Sequence, residues 1–207
     1  GLLAIPNFQL FNAYLLWGWT ALLAPTTFFY GWMVGNRVNF LCAVLTLVLL
    51  ALGRVPWRDY QPNKVTWLYL LLAAHATLAF LLAYPGNPYN DQYFEFLIKG
   101  LLFCVVMPFF VRERVHFHAI FIVLALGLGI HGVLNGLKTV ASGGGHNMMG
   151  PAGTMLGDRN HLSTALAVVL PVLFYLQTYA ANRLVRLGYL GAFCVVVLAI
   201  LGGGSRA

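Results

Sequence analysis

Hydrophobic residues occupy the chain in seven long runs that short polar segments separate. The runs are Leu10–Phe29, Val38–Leu52, Val65–Ala83, Phe94–Val111, Phe117–Val140, Leu162–Tyr179 and Leu187–Leu201. A membrane-crossing helix needs about 20 predominantly apolar residues, and most of these runs approach that length. The second and the seventh run are shorter and need flanking residues to cross. The pattern predicts an all-α integral membrane protein with about seven transmembrane helices, in which residues 1–207 form a single polytopic domain.

The composition also indicates a lipid environment. Hydrophobic residues make up 60% of the chain and charged residues 8%, whereas soluble domains carry about 25% charged residues. The net charge of +7 is compatible with nucleic-acid binding, but the basic residues are scattered singly between apolar runs and form no basic stripe. We therefore expect membrane lipids, and no nucleic acid, among the partners.

Basic residues in the connections predict the orientation. If the runs alternate across the membrane, seven basic residues fall on one side: Arg54, Arg58, Lys64, Arg112, Arg114, Arg183 and Arg186. Cytoplasmic loops carry an excess of Lys and Arg. We therefore expect a cytoplasmic amino terminus, a basic turn between runs six and seven on that side, and outward-facing connections at 30–37, 84–93 and 141–160.

The fifth run carries polar residues toward its outer end. His131, Asn135 and Lys138 follow each other at i, i+4 and i+7, which places them on one helical face. A cation within the hydrocarbon is costly, so such a face should line the bundle interior or a wet cavity. The alternative is that His131 and Asn135 bond a neighbouring helix while Lys138 extends to the interface. Glycines on the same run are expected mainly as close-packing positions: Gly127, Gly129, Gly132 and Gly136.

A glycine-rich connection leads from the fifth run into a short polar motif. Glycines between Ser142 and Gly153 suit a backbone that turns tightly or approaches a ligand. The motif that follows is Asp158-Arg159-Asn160-His161, in which Asp158 or Asn160 is a good N-cap for the sixth helix. A cap does not require Arg159. A helix start beside Arg159 and His161 suits phosphate oxygens, so we expect an anion site here.

The order of these motifs resembles a known family. The glycine-rich loop, the motif Gly157–Leu162 and the final Gly204-Ser205-Arg206-Ala207 are similar in order and spacing to the O-antigen ligase and O-antigen polymerase superfamily. Within it, the O-glycosylation ligases associated with exosortase systems show the greater similarity. Tyr30-Gly31-Trp32 and Arg112-Glu113-Arg114 resemble that branch as well.

The resemblance implies a membrane glycosyltransferase with a helical bundle of the C-type fold, in the bacterial inner membrane. Such an enzyme takes a glycan from undecaprenyl pyrophosphate at the periplasmic face and passes it to a hydroxyl of a lipid or protein acceptor. The reaction is inverting and independent of metal, and no cofactor is expected. Arg206 matches the arginine of the family's Ser-Arg motif, where arginines hold the pyrophosphate, and Asn160 and His161 match its Asn-His-Leu motif. Arg159 replaces the usual proline, so its role rests on its own chemistry.

Family members have more spans and place the catalytic histidine in a later periplasmic loop, beyond Ala207. We therefore expect this chain to be the amino-terminal portion of a longer enzyme. A glycan polymerase, a non-catalytic membrane scaffold and a transporter are the alternatives. Polar residues gather at the outer interface, which disfavours transport. The candidate site residues are Arg206, Arg159, Asn160, His161, Asp158, Lys138, His131, Asn135 and His146.

Overall fold

The computed structural model describes residues 8–28, 37–52, 60, 62–83, 88–111 and 113–202, and within these ranges every regular element is a helix. The α-helices are α1 (Phe8–Leu23), α2 (Val38–Ala51), α3 (Lys64–Leu82), α4 (Pro88–Val106), α5 (Arg114–Ala141), α6 (Arg159–Tyr179) and α7 (Arg183–Gly202). Short 3-10 helices follow α1 at Pro25–Thr27 and α4 at Met107–Phe109. The prediction of an all-helical fold is confirmed.

Within the described residues, five segments are long and apolar enough to cross a membrane: Lys64–Leu82, Tyr89–Phe109, Arg114–Ala141, Arg159–Tyr179 and Arg183–Gly202. The two amino-terminal helices are shorter, with 16 residues in α1 and 14 in α2. At 1.5 Å per residue they extend about 24 and 21 Å, less than the roughly 30 Å hydrocarbon thickness. The apolar helices indicate a membrane-associated protein, while the count of seven crossings stays a prediction.

Several helix boundaries differ from those expected from hydrophobicity, and two of the largest shifts lie beside prolines. Helix α1 ends at Leu23 rather than at Phe29, because Ala24 adopts a left-handed conformation with φ 48° and Pro25 follows it. A proline inside a helix would lose a backbone hydrogen bond and clash with the preceding turn. Helix α4 begins at Pro88 instead of Phe94. Proline suits the first helical position, where its missing N–H costs nothing, so the predicted connection 84–93 is shorter.

The basic turn between α6 and α7 belongs largely to a helix. Helix α7 begins at Arg183, four residues earlier than the hydrophobic run, so both Arg183 and Arg186 are helical. The Asn182 side chain starts the helix by accepting a hydrogen bond from the backbone N–H of Leu184 at 2.8 Å. The added residues lengthen α7 to 20 residues, which removes the shortfall of the seventh run.

The interior divides into two clusters that share α5. In the carboxy-terminal cluster, α5, α6 and α7 pack around fully buried residues such as Leu162, Leu166 and Val196. In the amino-terminal cluster, α1 and α2 pack with the end of α4 and with Ile120 of α5. There the Tyr14 ring stacks on Phe103 at a centroid distance of 4.3 Å. Helix α5 thus contributes to both clusters, and α1, α6 and α7 pack directly against it, whereas α2 packs on α1 and α3 packs on α4.

Glycines allow α5 to approach its neighbours closely. A Cβ on Gly127 would lie 2.7 Å from Cβ of Leu22 in α1, and one on Gly132 would lie 2.7 Å from the Val196 side chain in α7. A Cβ on Gly136 would collide with the Val195 carbonyl. These positions confirm the packing role expected for them. Gly129 differs, because a Cβ there would meet nothing within 4 Å.

Candidate functional site

A buried polar stripe runs along α5 toward the connection with α6. His131, Asn135 and Thr139 lie four residues apart and are 5%, 7% and 6% exposed. This spacing places all three on one helical face. The stripe therefore continues through Thr139. Lys138, which the sequence grouped with His131 and Asn135, is exposed and lies beside the stripe.

His131 joins α5 to the end of α1. Its Nε2 lies 2.9 Å from the carbonyl oxygen of Leu23, and its ring stacks on Phe28 at a centroid distance of 5.5 Å. A carbonyl oxygen only accepts, so Nε2 is the donor. Of the two interpretations of this histidine, the bond to a neighbouring helix is the one that the contacts support.

Asn135 fastens the glycine-rich loop to α5. Its amide nitrogen donates to the carbonyl of His131 at 2.9 Å and to the carbonyl of Met149 at 3.5 Å. Its side-chain oxygen lies 3.1 Å from Nε2 of His146. The Asn135 side chain thus holds the loop at two residues, His146 and Met149. Because the amide is buried and both its oxygen and its nitrogen are hydrogen-bonded, it fixes the position of the loop on α5.

The loop itself is folded onto the bundle. Gly143, Gly144 and Gly153 have φ values of 61°, 90° and 74°, a region that side chains with a Cβ rarely adopt. A Cβ on Gly150 would collide with the Leu156 carbonyl, so the loop doubles back on itself. Met148 is fully buried in the α5–α6–α7 core. The expectation that these glycines serve tight backbone turns is confirmed.

Helix α6 begins immediately after this loop and is capped by Asp158. The Asp158 carboxylate accepts hydrogen bonds from the backbone N–H groups of Asn160 at 2.8 Å and His161 at 3.4 Å. Of the two residues expected as the N-cap, Asp158 and Asn160, it is therefore Asp158 that caps the helix. It also changes the electrostatics, because the carboxylate already occupies N–H groups that a bound anion would need. An anion at this end must therefore be held mainly by side-chain cations.

Arg159 is a cation available for that role. It is the first residue of α6 and is exposed, and it forms no ion pair with any carboxylate in the described parts of the chain. Asn160 beside it is exposed, and its carbonyl accepts from the Thr164 hydroxyl at 2.9 Å. The guanidinium can turn toward a phosphate without breaking an existing contact of its own.

Both histidines near the loop donate one ring N–H to the protein. His146 donates from Nε2 to the Asn135 amide oxygen, while Nδ1 of His161 lies 3.1 Å from the Met155 carbonyl and donates to it. A neutral imidazole carries one donor and one acceptor nitrogen. These contacts therefore leave the lone pair on Nδ1 of His146 and on Nε2 of His161. Either nitrogen is able to accept a proton.

Helix α7 returns to the same end of the bundle. Its last residue, Gly202, lies against the side chain of Thr139, where an added Cβ would collide. The Ser205-Arg206 motif begins three residues later in the sequence. Arg206 lies outside the described residues, so its side chain is not placed.

Two polar atoms at this end were not anticipated from the sequence. The buried hydroxyls of Thr139 and Ser163 have no hydrogen-bond partner among the residues that the structure describes. Thr139 follows Asn135 at i+4, so the helical spacing alone contained a signal for it. Within the same ranges, no three of the residue types His, Cys, Asp and Glu come together as a metal site would require.

Comparison with known proteins places the chain in a family. A family of unknown function, DUF5935, matches residues 4–181, which is most of the chain. The chain belongs to this family. The match includes α1 to α6, the glycine-rich loop and the Asp158–His161 motif. No curated protein and no solved structure matches the chain.

Proposed function

We propose that this chain is part of a membrane glycosyltransferase that transfers a glycan from undecaprenyl pyrophosphate to a hydroxyl of a lipid or protein acceptor. The proposed location is the bacterial inner membrane, with the amino terminus in the cytoplasm. The site faces the periplasm, at the end of the bundle formed by residues 141–159, which we call the loop end. The reaction is inverting and requires no metal.

The observation that carries this proposal is the convergence of the motifs at the loop end. Asn135 fixes the glycine-rich loop, the loop leads into the capped start of α6, and α7 ends beside Thr139. Of the residues that resemble the ligase motifs, the glycine-rich loop and Asn160-His161-Leu162 lie at this one end of the bundle. Arg206 enters the proposal through its position after α7 in the sequence.

Charge explains how such an end favours the reaction. Pyrophosphate leaves as a stable anion, so little proton donation is needed, and positive charge near its oxygens is the main requirement. Arginine suits this role because its planar fork donates to two phosphate oxygens at once. Arg159 is exposed at the start of α6, and Arg206 follows α7.

The acceptor hydroxyl needs a base when it attacks the sugar carbon. The lone pairs on Nδ1 of His146 and Nε2 of His161 are the imidazole proton acceptors that the loop end offers within the described ranges. The resemblance places the family's catalytic histidine in a later loop. If that later histidine is the base, the role of His146 and His161 in this proposal is to accept hydrogen bonds from glycan hydroxyls through the same lone pairs.

The test is glycan transfer in membranes that contain the full-length protein. Wild type is compared with Arg206→Ala, Arg159→Gln and Lys64→Gln, and the measured quantities are loss of lipid-linked glycan and gain of glycosylated acceptor. Lys64 is a matched control, because it is an exposed cation at the first position of α3. Equal amounts of inserted protein are confirmed for every variant.

The proposal predicts transfer by wild type and by Lys64→Gln, and strongly reduced transfer by Arg206→Ala and Arg159→Gln. Equal transfer by all four proteins would show that neither arginine holds the pyrophosphate. Absence of transfer by wild type with every lipid-linked donor would contradict the enzyme assignment and favour the scaffold.

A further inference from the structure

Helix α4 carries a charged pair at the depth of the bilayer interior. Its apolar segment Tyr89–Phe109 is long enough to cross a membrane. At 1.5 Å per residue, Glu95 lies about 9 Å and Lys99 about 15 Å from Tyr89 along the helix, and half of the hydrocarbon core is about 15 Å. The Lys99 ammonium donates to the Glu95 carboxylate, so extension of the lysine carries its charge only as far as Glu95. The pair therefore lies inside the apolar segment rather than at its end.

The described part of the chain does not cover this pair. The Glu95 side chain is 60% exposed and the Lys99 side chain 50%. A charge in contact with lipid hydrocarbon is costly, and charged residues within membrane-spanning segments face protein or a water-filled cavity in nearly all cases. This side of α4 must therefore meet polar surroundings instead of acyl chains.

Further charged residues connect the pair to the end of the membrane at which α4 begins. Asp91 lies in the first turn of α4 and is exposed. It precedes Glu95 by four residues, as Glu95 precedes Lys99, so the three form a polar stripe along one side of the helix. Arg37, the N-cap of α2, lies close enough to Glu95 for the two charges to interact. Charged groups thus extend in steps of one helical turn from the start of α4 to the middle of its apolar segment.

Water is the surrounding that these observations favour. Burial of an ion pair against a protein partner costs more than the mutual attraction returns, unless further hydrogen bonds satisfy the remaining polar atoms. A stripe that begins at the aqueous end of the helix requires no such partner, because water can enter along it. At the same depth the opposite side of α4 is apolar, with Leu97 38% exposed, as contact with lipid requires.

We propose that Asp91, Glu95, Lys99 and Arg37 line an aqueous cleft, which opens at the end of the membrane where α4 begins and extends to the bilayer centre. Its ligands are water and small hydrophilic solutes. The cleft is defined by the solvation of α4 alone, so it does not depend on the proposed glycan transfer.

The test is labelling of single cysteines in sealed membrane vesicles that contain the full-length protein. The probes are membrane-impermeant methanethiosulfonates, one anionic and one cationic, used separately. Glu95→Cys and Lys99→Cys are introduced one at a time into protein whose native cysteines are replaced by alanine. Asp91→Cys is the reference for the aqueous end. Leu97→Cys is the matched control, because it lies between the two test positions in depth and about 200° around the helix from each.

We expect both probes to react with Glu95→Cys and Lys99→Cys at least about tenfold faster than with Leu97→Cys, because the thiolate is the reactive form and apolar surroundings disfavour it. The probes should act from the same side of the vesicle as for Asp91→Cys and not from the other side. Labelling after unfolding in SDS shows that each cysteine is present in equal amount.

Three results would overturn the proposal. Equal rates at Glu95→Cys, Lys99→Cys and Leu97→Cys would show that the surroundings do not differ around α4. Slow reaction at both test positions would mean that protein or lipid covers the pair. Reaction from the side opposite to that of Asp91→Cys would show that water enters from the other end. Either test position decides the result if the other variant is not inserted into the membrane.

Discussion

Helices α5 and α3 are both apolar enough to cross a membrane, yet they occupy different environments. In their most apolar 18-residue windows, 39% of α5 is buried inside the protein and only 6% of α3. Helix α5 carries the glycines and the polar stripe, whereas α3 is leucine- and alanine-rich and its buried position is Thr66 near its start. Because lipid is as apolar as leucine, hydrophobicity does not bring helices together in a membrane. Small and polar residues do so.

His75 is an exception that limits this rule. It lies in the middle of α3 and is exposed. A single polar residue therefore does not establish packing. On α5 the polar residues recur every four positions and alternate with the packing glycines Gly132 and Gly136. Repetition on one face, rather than one polar residue, distinguishes the buried helix.

The largest expected effect comes from Gly136→Ala. The new Cβ would collide with the Val195 carbonyl, so α5 and α7 must separate. Overpacking of this kind costs about 1–3 kcal/mol. Thermal unfolding in detergent measures it, with Gly129→Ala as the control. That change meets open space and should be neutral or gain up to about 1 kcal/mol from helix propensity. Equal effects of the two changes would contradict the close α5–α7 contact.

Asn135→Leu should release the glycine-rich loop. The loop loses the hydrogen bond that His146 donates to the Asn135 amide oxygen and the one that the Met149 carbonyl accepts from the amide nitrogen. A buried polar group left without a partner costs about 1–3 kcal/mol. Hydrogen exchange of residues 145–150 should become faster. Thr77→Val is the control, since the Thr77 hydroxyl bonds only the Ala73 carbonyl of its own helix. Unchanged exchange in Asn135→Leu would show that the loop is held by other contacts.

Loss of a helix cap should affect both regions alike. Asp158 caps α6, and Asn63 caps α3 by accepting from the Thr66 N–H at 2.8 Å. Replacing either by alanine should cost about 1 kcal/mol, measured by chemical unfolding in detergent. Only Asp158→Ala should alter proteolysis of the loop end. A large difference between the two stability losses would show that one cap has a further role.

The smallest effect is expected for Glu95→Gln on α4. Glu95 pairs with Lys99 one turn later. The Glu95 side chain is 60% exposed and the Lys99 side chain 50%. Exposed pairs of this spacing contribute at most about 0.5 kcal/mol. A loss of stability well above that value in the same unfolding measurement would mean that the α3–α4 surface is desolvated. The contrast between the two regions would then be wrong.

Sequence reasoning predicted the helical class and the seven helical segments, because runs of hydrophobic residues are a local property of the chain. The boundaries at Leu23, Pro88 and Arg183 depend on caps and prolines within a few residues. The ends of a hydrophobic run do not indicate where such caps and prolines begin or end a helix. The N-cap at Asp158 was one of two candidates, since both residue types accept the same hydrogen bonds.

The arrangement of the loop end was only partly predictable. The polar face of α5 was visible in the sequence, but His131 bonds Leu23, which lies 108 positions earlier in the chain. The burial of Met148 and the link from His146 to Asn135 also depend on tertiary packing. Lys138 was grouped with this face because position i+7 lies only about 20° around the helix from His131. Burial selects Thr139 at i+8 instead, next to Asn135 on its other side. Helical spacing therefore identified the polar face of α5 but did not determine which polar residues on it are buried.

The account depends most on the claim that Arg159 holds a pyrophosphate at the loop end. The direct measurement is the Kd of the full-length protein for undecaprenyl pyrophosphate and for uncharged undecaprenol, in wild type, Arg159→Gln and Lys64→Gln. We expect Arg159→Gln to weaken binding of the pyrophosphate lipid about tenfold, as loss of a charge-assisted hydrogen bond implies. Undecaprenol binding and the Lys64→Gln variant should be unchanged. An equal Kd for the pyrophosphate lipid in all three proteins would contradict the claim.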